Sequence, residues 1–341
     1  MNLIKKISPI LLFVSLMFIV FSWKNKNFLF LLLSLFFTIL FFAINFSKIR
    51  LFLVPLISTF LTLSIIEGLL PLYYPNQKLT NTEFRNLNNQ SSRFVEKIPN
   101  FGYRPIPGIY RVKKTANNNI NVYDVLYTIN EDGYRENFVN RAYEGFMFGG
   151  SFTFGEGLND SETMTSYLLN EHGLNIKNVG VSGYGLQQAL YNIQNNVVSI
   201  NGINILVTFP VHALRSACKK VYSNGTPRYS MKGNVLVNNG VCPYGNIFHR
   251  VYSKSYINLL IKDVFFANMK KISDSDIVLY LNIVKEIYAE SKSNNSKLLI
   301  AYIKGSDKEF LDTTWSNEKI SKELNNYSDA FIDISLYKSK D

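Results

Sequence analysis

The chain has 341 residues, of which 47% are hydrophobic and only 18% are charged, and its formal net charge is +11. A composition this apolar excludes a disordered chain, and two cysteines and three histidines argue against a disulfide scaffold, a zinc module or a multi-histidine metal centre. The basic residues are scattered without a block, whereas nucleic-acid surfaces cluster their charge, so we expect no nucleic-acid partner. No metal or organic cofactor is indicated.

Residues 1–70 are predicted to form three transmembrane helices, with the lipid bilayer as their partner. Apolar stretches occur at residues 7–23, 28–46 and 51–70, and each approaches the ~20 residues that a helix needs to cross a bilayer. A signal peptide would be one short stretch with a cleavage site, and buried helices of a soluble protein would show a polar face. The sequence shows no evident cleavage site and almost no polar face in these stretches, so membrane helices are favoured.

The basic residues around these stretches predict the orientation. The N-terminus and the second loop together hold four lysines and arginines, whereas the first loop holds two. Because basic residues are enriched on the cytoplasmic side of membrane proteins, the N-terminus and the second loop are predicted to lie on that side. Three crossings then place the rest of the chain outside the cytoplasm. There Cys218 and Cys242 could form a disulfide, although two unlinked thiols fit the sequence equally well.

Residues 71–141 are predicted to form a polar linker and a small β-rich preface. Turn signals occur at residues 101–108, and alternation of apolar and polar residues at 121–130 predicts a strand.

Residues 142–341 are predicted to form an α/β domain. Apolar stretches predict five strands, at residues 145–149, 176–181, 203–209, 297–303 and 330–334. Helices are predicted at residues 159–171, 186–197, 255–271 and 273–293, and an insertion occupies about 213–250. This alternation predicts a parallel sheet covered by helices on both faces, with ligands bound beyond the carboxyl ends of the strands.

Residues suited to catalysis follow three of the predicted strands. Ser151 comes after two glycines at the first strand end, where small neighbours expose its hydroxyl and let backbone N–H groups approach a substrate oxygen. The glycine-rich turn around Gly183 follows the second strand, and His212 and Arg215 follow the third. Taken alone, a serine in such a turn is somewhat more often part of an ordinary capping turn, and a histidine at a strand end more often has a structural role.

Together these strand ends resemble the SGNH (GDSL-type) hydrolase superfamily, above all its membrane-anchored bacterial members whose first block is Gly-Gly-Ser-Phe-Thr-Phe-Gly. The resemblance covers about residues 143–334, and residues 127–135 match a preface segment of such proteins. It implies a flavodoxin-like three-layer α/β/α domain in which Ser151 is the nucleophile and the backbone N–H groups of Ser151 and Gly183 are oxyanion donors.

The resemblance also implies a serine esterase or acyltransferase that acts on an acylated glycan, a lipid or a small ester. Such a protein would be a multi-pass protein of the bacterial inner membrane, with its α/β domain on the extracytoplasmic side.

Two features depart from the superfamily pattern. His212 and Arg215 stand where most members have an oxyanion-donating Asn; this His-x-x-Arg is similar to the membrane-anchored branch, and His212 is expected to be an oxyanion donor or a base. The superfamily places an Asp-x-x-His dyad after the last strand, but this sequence stops at Asp341 with no histidine after His249. A missing C-terminal block is the favoured expectation. The alternatives are a non-catalytic glycan-binding or scaffold protein of the cell envelope, and a substitute base such as His212.

Overall fold

The computed structural model describes most of the chain, which divides into two units. The described residues are 2–25, 28–46, 50–73, 81–116, 120–137, 139, 141–195, 202–243, 255–257, 260, 272–311 and 313–334. Unit 1 consists of Met1–Gln77 and Gly245–Lys270, and unit 2 consists of Lys78–Tyr244 and Lys271–Asp341. Unit 2 therefore contains both the β-rich preface and the α/β part.

Unit 1 holds three apolar helices: α1 (Asn2–Asn25), α2 (Phe28–Asn45) and α3 (Arg50–Tyr73). Within the described residues, only α3 has a stretch long and apolar enough to cross a membrane, Leu53–Leu70. The apolar stretches of the other two, Pro9–Ser22 and Leu29–Asn45, are shorter. The three predicted stretches are thus helical, whereas three membrane crossings stay a prediction.

Glu67 on α3 is a buried acid whose carboxylate is fully engaged within unit 1. It accepts hydrogen bonds from the Ser255 hydroxyl at 2.9 Å and from the backbone N–H groups of Tyr256 and Ile257, each at 2.8 Å. A buried carboxylate is tolerated when donors of this kind satisfy it. Glu67 therefore holds residues 255–257 against α3.

The β-rich preface of unit 2 consists of two small antiparallel sheets. The first has the order β1-β4-β5, and the second pairs β2 with β3. Their bounds are β1 Asn81–Asn86, β2 Val95–Ile98, β3 Gly102–Pro105, β4 Gly108–Ala116 and β5 Ile120–Ile129. Strand β5 lies where the alternating pattern predicts a strand.

The main sheet of unit 2 has five parallel strands in the order β12-β11-β8-β6-β7. Their bounds are β6 Gly145–Phe148, β7 Ile176–Asn178, β8 Ile203–Thr208, β11 Lys297–Ile303 and β12 Ala330–Ile334. Numbered along the chain, this is the 2-1-3-4-5 order of flavodoxin-like doubly wound sheets. The prediction of an α/β domain with a parallel sheet is confirmed.

Helices pack against both faces of this sheet. The largest apolar core of the described residues lies between one face of the sheet and three helices: α6 (Leu186–Gln194), α8 (Asp274–Ser293) and α9 (Asn317–Asn326). On the other face, Leu168 of α5 (Met164–His172) packs against Met147 and its neighbours. Apolar residues on both faces explain why the strands lack the alternation of a half-exposed sheet.

Two predicted elements differ in detail. The helix predicted from residue 159 begins as a 3-10 turn at Asp160–Glu162, where the Glu162 carboxylate accepts the Asn159 N–H as in one half of the expected capping box, and α5 starts only after it. The reason is Thr163, whose hydroxyl accepts the Ser166 N–H and starts the α-helix. The insertion contains α7 (Val211–Ser216) and a hairpin of β9 (Pro227–Lys232) and β10 (Val235–Val241). Most of the helix predicted at 255–271 lies outside the described residues.

A disulfide joins Cys218, just after α7, to Cys242, just after β10, with the Cα atoms 5.5 Å apart. Of the two possibilities that the sequence leaves open, the structure has the linked pair. The bond closes the insertion beside α7, which carries His212 and Arg215.

We expect Cys242→Ser to lower the free energy of unfolding by about 3 kcal/mol, because a loop of this length gains that much freedom in the unfolded chain when the bond is lost. Urea unfolding of the detergent-solubilised chain, followed by Trp315 fluorescence in a Trp23→Phe background, measures the loss. Reduction with dithiothreitol should reproduce it in the parent and change nothing in the variant. Equal stability of parent and variant would contradict the prediction.

Candidate active site

The four residues singled out in the sequence lie at the carboxyl edge of the main sheet. Ser151 begins the short helix α4 (Ser151–Phe154) directly after β6, Gly183 follows β7, and His212 and Arg215 lie on α7 after β8. In a sheet of this order, ligands bind at this edge. The structure therefore brings all four to the part of the fold where a ligand site is expected.

Gly150 is the point at which the loops converge. A methyl group built on Gly150 would lie 2.7 Å from Nη1 of Arg215, 3.2 Å from Nε2 of His212 and 3.4 Å from the carbonyl oxygen of Tyr184. The lack of a side chain leaves these polar groups facing the backbone beside Ser151. As the first residue of α4, Ser151 also has a backbone N–H without an intrahelical partner.

The turn that carries Gly183 is held in place by Tyr103 of β3. The Tyr103 hydroxyl donates a hydrogen bond to the Ser182 carbonyl oxygen at 2.8 Å, and the Ser182 hydroxyl donates to Glu156 at 3.0 Å. Gly183 has a φ of +91°, and a Cβ at this position would lie 2.2 Å from the Tyr103 hydroxyl. The backbone conformation and the tyrosine together require glycine here.

His212 is completely buried and meets the site through one nitrogen. Its Nδ1 lies 3.0 Å from the hydroxyl oxygen of Thr208, while its Nε2 has no hydrogen-bond partner among the described residues. Burial and the nearby Arg215 cation lower the pKa of His212 well below its usual 6.5. The imidazole is therefore neutral at pH 7.

Arg215 supplies a fixed positive charge beside His212. Its Nη1 donates to the Tyr184 carbonyl oxygen at 2.6 Å, and its guanidinium carbon lies 5.4 Å from the ring centre of Phe209. Its Nε is buried and has no hydrogen-bond partner in the described part of the chain. Burial lowers the pKa of Arg215, but an arginine remains protonated at neutral pH. Both residues thus have a buried nitrogen without a hydrogen-bond partner in the described part of the chain, Nε2 in His212 and Nε in Arg215.

The pKa of His212 makes stability depend on pH. Because the folded pKa lies below the unfolded value, the unfolded state binds more protons below pH 6.5, and stability falls there as pH falls. We expect a slope that approaches about 1.4 kcal/mol per pH unit. Urea unfolding at several values between pH 7 and pH 5 measures it, and the slope should be smaller in His212→Gln. Identical slopes in parent and variant would refute this source of acid sensitivity.

Among the described residues, His172 is the other histidine, and it offers no second candidate here. His172 ends α5 just before β7, which places it at the amino edge of the sheet, and its ring packs against Tyr167. His249 lies outside the described residues. In the described ranges, no group of three or more His, Cys, Asp or Glu side chains could hold a metal ion.

Several residues of the site were not singled out in the sequence. Tyr103 and Glu156 form hydrogen bonds with Ser182, the neighbour of Gly183, Thr208 contacts His212, and Tyr222 packs beside Gly183. Phe152, which is 46% exposed, and Tyr222, which is 60% exposed, leave aromatic surface next to Ser151 and Gly183. These residues come from separate segments, and no local motif marks them.

Comparison with known proteins adds two weak similarities. No family model matches the chain, and no curated protein matches it. Two solved structures that are similar to part of it are variants of the esterase AlinE4. The first has 17% sequence identity and a TM-score of 0.30, and the second has 16% sequence identity and a TM-score of 0.29. Each comparison covers 57% of this chain and 76% of the other. These neighbours are esterases, and TM-scores this low leave the assignment of an activity to the geometry of the site.

Proposed function

We propose that the chain is a membrane-anchored serine ester hydrolase or acyltransferase of SGNH type. The observation that carries the proposal is the convergence at Gly150: the guanidinium of Arg215 and Nε2 of His212, which has no hydrogen-bond partner among the described residues, lie beside Ser151 at the carboxyl edge of a parallel sheet. Donors fixed in a water-poor site are suited to stabilise the negative charge that develops on a carbonyl oxygen.

In the proposed reaction, the Ser151 hydroxyl oxygen attacks the carbonyl carbon of an ester while a histidine base takes up the hydroxyl proton. The backbone N–H groups of Ser151 and Gly183 stabilise the oxyanion. The alcohol leaves with the proton returned by the base, and the acyl-serine is then transferred to water or to a sugar hydroxyl. The SGNH resemblance implies a histidine of an Asp-x-x-His dyad in this role, and labelling of this chain tests whether its own residues supply a base.

The proposed substrate is an O-acylated glycan or lipid of the cell envelope. The exposed rings of Phe152 and Tyr222 beside the site support this class, because flat aromatic faces can pack against sugar rings or acyl chains. The apolar helices α1–α3 support a location in the bacterial inner membrane. The Cys218–Cys242 disulfide supports an extracytoplasmic α/β domain, since disulfides persist in oxidising compartments.

The alternative is a non-catalytic SGNH-like protein that binds glycan or acts as a scaffold in the envelope. It is favoured by one observation: among the described residues, His212 is the histidine at the carboxyl edge, and its Nδ1 is already engaged by Thr208. Glycan binding that survives Ser151→Ala, with no turnover in either form, would support this alternative.

Fluorophosphonate labelling of the detergent-solubilised chain tests the proposal. We expect covalent labelling that disappears in Ser151→Ala and persists in Ser293→Ala, whose serine lies at the distant end of α8. Absence of labelling in the parent would show that this chain has no activated serine.

A further inference from the structure

Thr208 and Tyr280 form a buried chain of hydroxyl groups behind His212. The Thr208 hydroxyl oxygen lies 3.0 Å from Nδ1 of His212 and 3.0 Å from the hydroxyl oxygen of Tyr280. All three side chains are at most 1% exposed. In the described part of the chain, these two contacts are the hydrogen bonds that the two hydroxyl groups make.

The three groups hold three relevant protons, one on each hydroxyl and one on the neutral imidazole. If Tyr280 donates to Thr208 and Thr208 donates to Nδ1, both hydroxyl protons are used, and the imidazole proton is on Nε2. If instead Nδ1 carries the proton and donates to Thr208, one of the two hydroxyl groups can still donate to the other. The proton of the remaining hydroxyl group then has no acceptor, whether that group is Thr208 or Tyr280. Each arrangement leaves one donor without an acceptor, but at a different place. In the first it is the Nε2–H, which lies at Gly150 beside Ser151, where an oxygen of a substrate can accept it. In the second it is a hydroxyl group inside the core, where no substrate reaches, so the first arrangement is favoured.

We propose that Thr208, oriented by Tyr280, fixes the proton of His212 on Nε2, so that His212 is a hydrogen-bond donor of the site and not the base for Ser151. This inference rests on the proposed function, because it assigns a role within the same site. Thr208 and Tyr280 are positioning residues, since they act through His212.

The position of Nε2 gives this proton its role. Nε2 lies 3.2 Å from the methyl position of Gly150, next to Arg215, and none of the described residues forms a hydrogen bond with it. A protonated Nε2 has no lone pair to accept the Ser151 proton, but it can donate to an oxygen that gains negative charge. The nearby guanidinium opposes a second proton on the ring, which keeps His212 neutral while it donates.

Nitrogen NMR of 15N-histidine-labelled protein tests the tautomer directly, since the chain has only three histidines and an unprotonated ring nitrogen resonates far downfield of a protonated one. His212→Gln assigns the signal by its absence. At pH 7 we expect Nε2 of His212 to be protonated in the parent and in Thr208→Ser, and the preference to be lost in Thr208→Val. A proton on Nδ1 in the parent would overturn the proposal.

Fluorophosphonate labelling rates give the second readout. We expect His212→Leu to slow the labelling of Ser151 by about 10²–10³-fold, the usual effect of removing one oxyanion donor. His212→Gln keeps an N–H donor and should remain at least tenfold faster than the leucine variant, and Thr208→Ser should be faster than Thr208→Val. Equally slow glutamine and leucine variants would overturn the proposal, because a lost base affects both alike.

The two readouts separate this inference from the proposed function. If the parent is not labelled, the proposed activity fails, and the NMR signal of His212 still decides where its proton lies. If the parent is labelled but Nε2 is unprotonated, the activity stands and the assignment of His212 as a donor fails.

Discussion

Arg135→Met is expected to lower the free energy of unfolding by about 3–5 kcal/mol, because it removes one partner of a buried ion pair. The Arg135 side chain is 1% exposed, and its Nη2 lies 2.8 Å from an Asp160 carboxylate oxygen. Its guanidinium carbon lies 4.3 Å from the ring centre of Tyr127 and 5.1 Å from that of Phe154. The substitution therefore loses ion pairing and packing together.

The loss should extend to the loop that follows Ser151. Arg135 also donates to the Leu158 carbonyl oxygen at 3.1 Å, and the Asp160 carboxylate accepts the Thr128 N–H at 3.0 Å. These bonds connect β5 of the preface with the turn after α4. We therefore expect fluorophosphonate labelling of Ser151 to weaken in Arg135→Met even at temperatures where the chain remains folded.

Arg111→Met is the matched control for this prediction. Arg111 on β4 also pairs with an acid, Asp124, through two bonds of 2.8 and 2.9 Å, but its side chain is 62% exposed. Exposed pairs contribute little to stability because water and salt screen them, so this variant should unfold close to the parent. Urea unfolding followed by Trp315 fluorescence compares the two variants. Equal losses would show that burial of Arg135 is not what makes its ion pair important.

Gly183→Ala is expected to slow the labelling of Ser151 by about 10²-fold, comparable to the loss of one oxyanion donor. The reason is displacement: a Cβ would lie 2.2 Å from the Tyr103 hydroxyl and 3.1 Å from Tyr222, so the turn must move. The backbone N–H of Gly183 moves with it, away from its position in the site.

Gly173→Ala separates displacement from backbone strain. Gly173, at the end of α5, also has a positive φ, +68°, but a Cβ there meets no atom within 4 Å. Both variants should lose about 1–2 kcal/mol of stability from the strained backbone. We expect only Gly183→Ala to lose labelling rate. A loss of rate in both variants, or in neither, would show that the position of the Gly183 N–H does not limit the reaction.

The five strands of the main sheet could be predicted from the sequence because each is a short apolar stretch bounded by turn residues. The segment from Lys297 to Ile303 is an example, and it is strand β11 over those same residues. Parallel strands buried on both faces need apolar residues at every position, which makes the signal strong. The placement of Ser151, Gly183 and His212 follows from the same prediction, because each comes directly after a strand.

The remaining parts of the site depend on contacts that no local pattern records. Tyr103 meets Ser182 across 79 positions, and Tyr280 meets Thr208 across 72. Each of these tyrosines fits an ordinary strand or helix, so its sequence context predicts burial and no partner. Glu67 could be recognised as an acid in an apolar helix, but its hydrogen bonds to the segment at Ser255 could not be predicted.

The two partners of the hydrogen bond between Glu67 and Ser255 are translated at different times, because they are 188 positions apart in the chain. At 5–20 residues per second, a ribosome needs roughly 10–40 s to travel between them. The chain from β1 to β10 emerges in that interval, before the last segment of unit 1 exists. The acid in α3 is therefore made long before its partners, and the nascent chain must accommodate an unpaired carboxyl group until Ser255 has been translated.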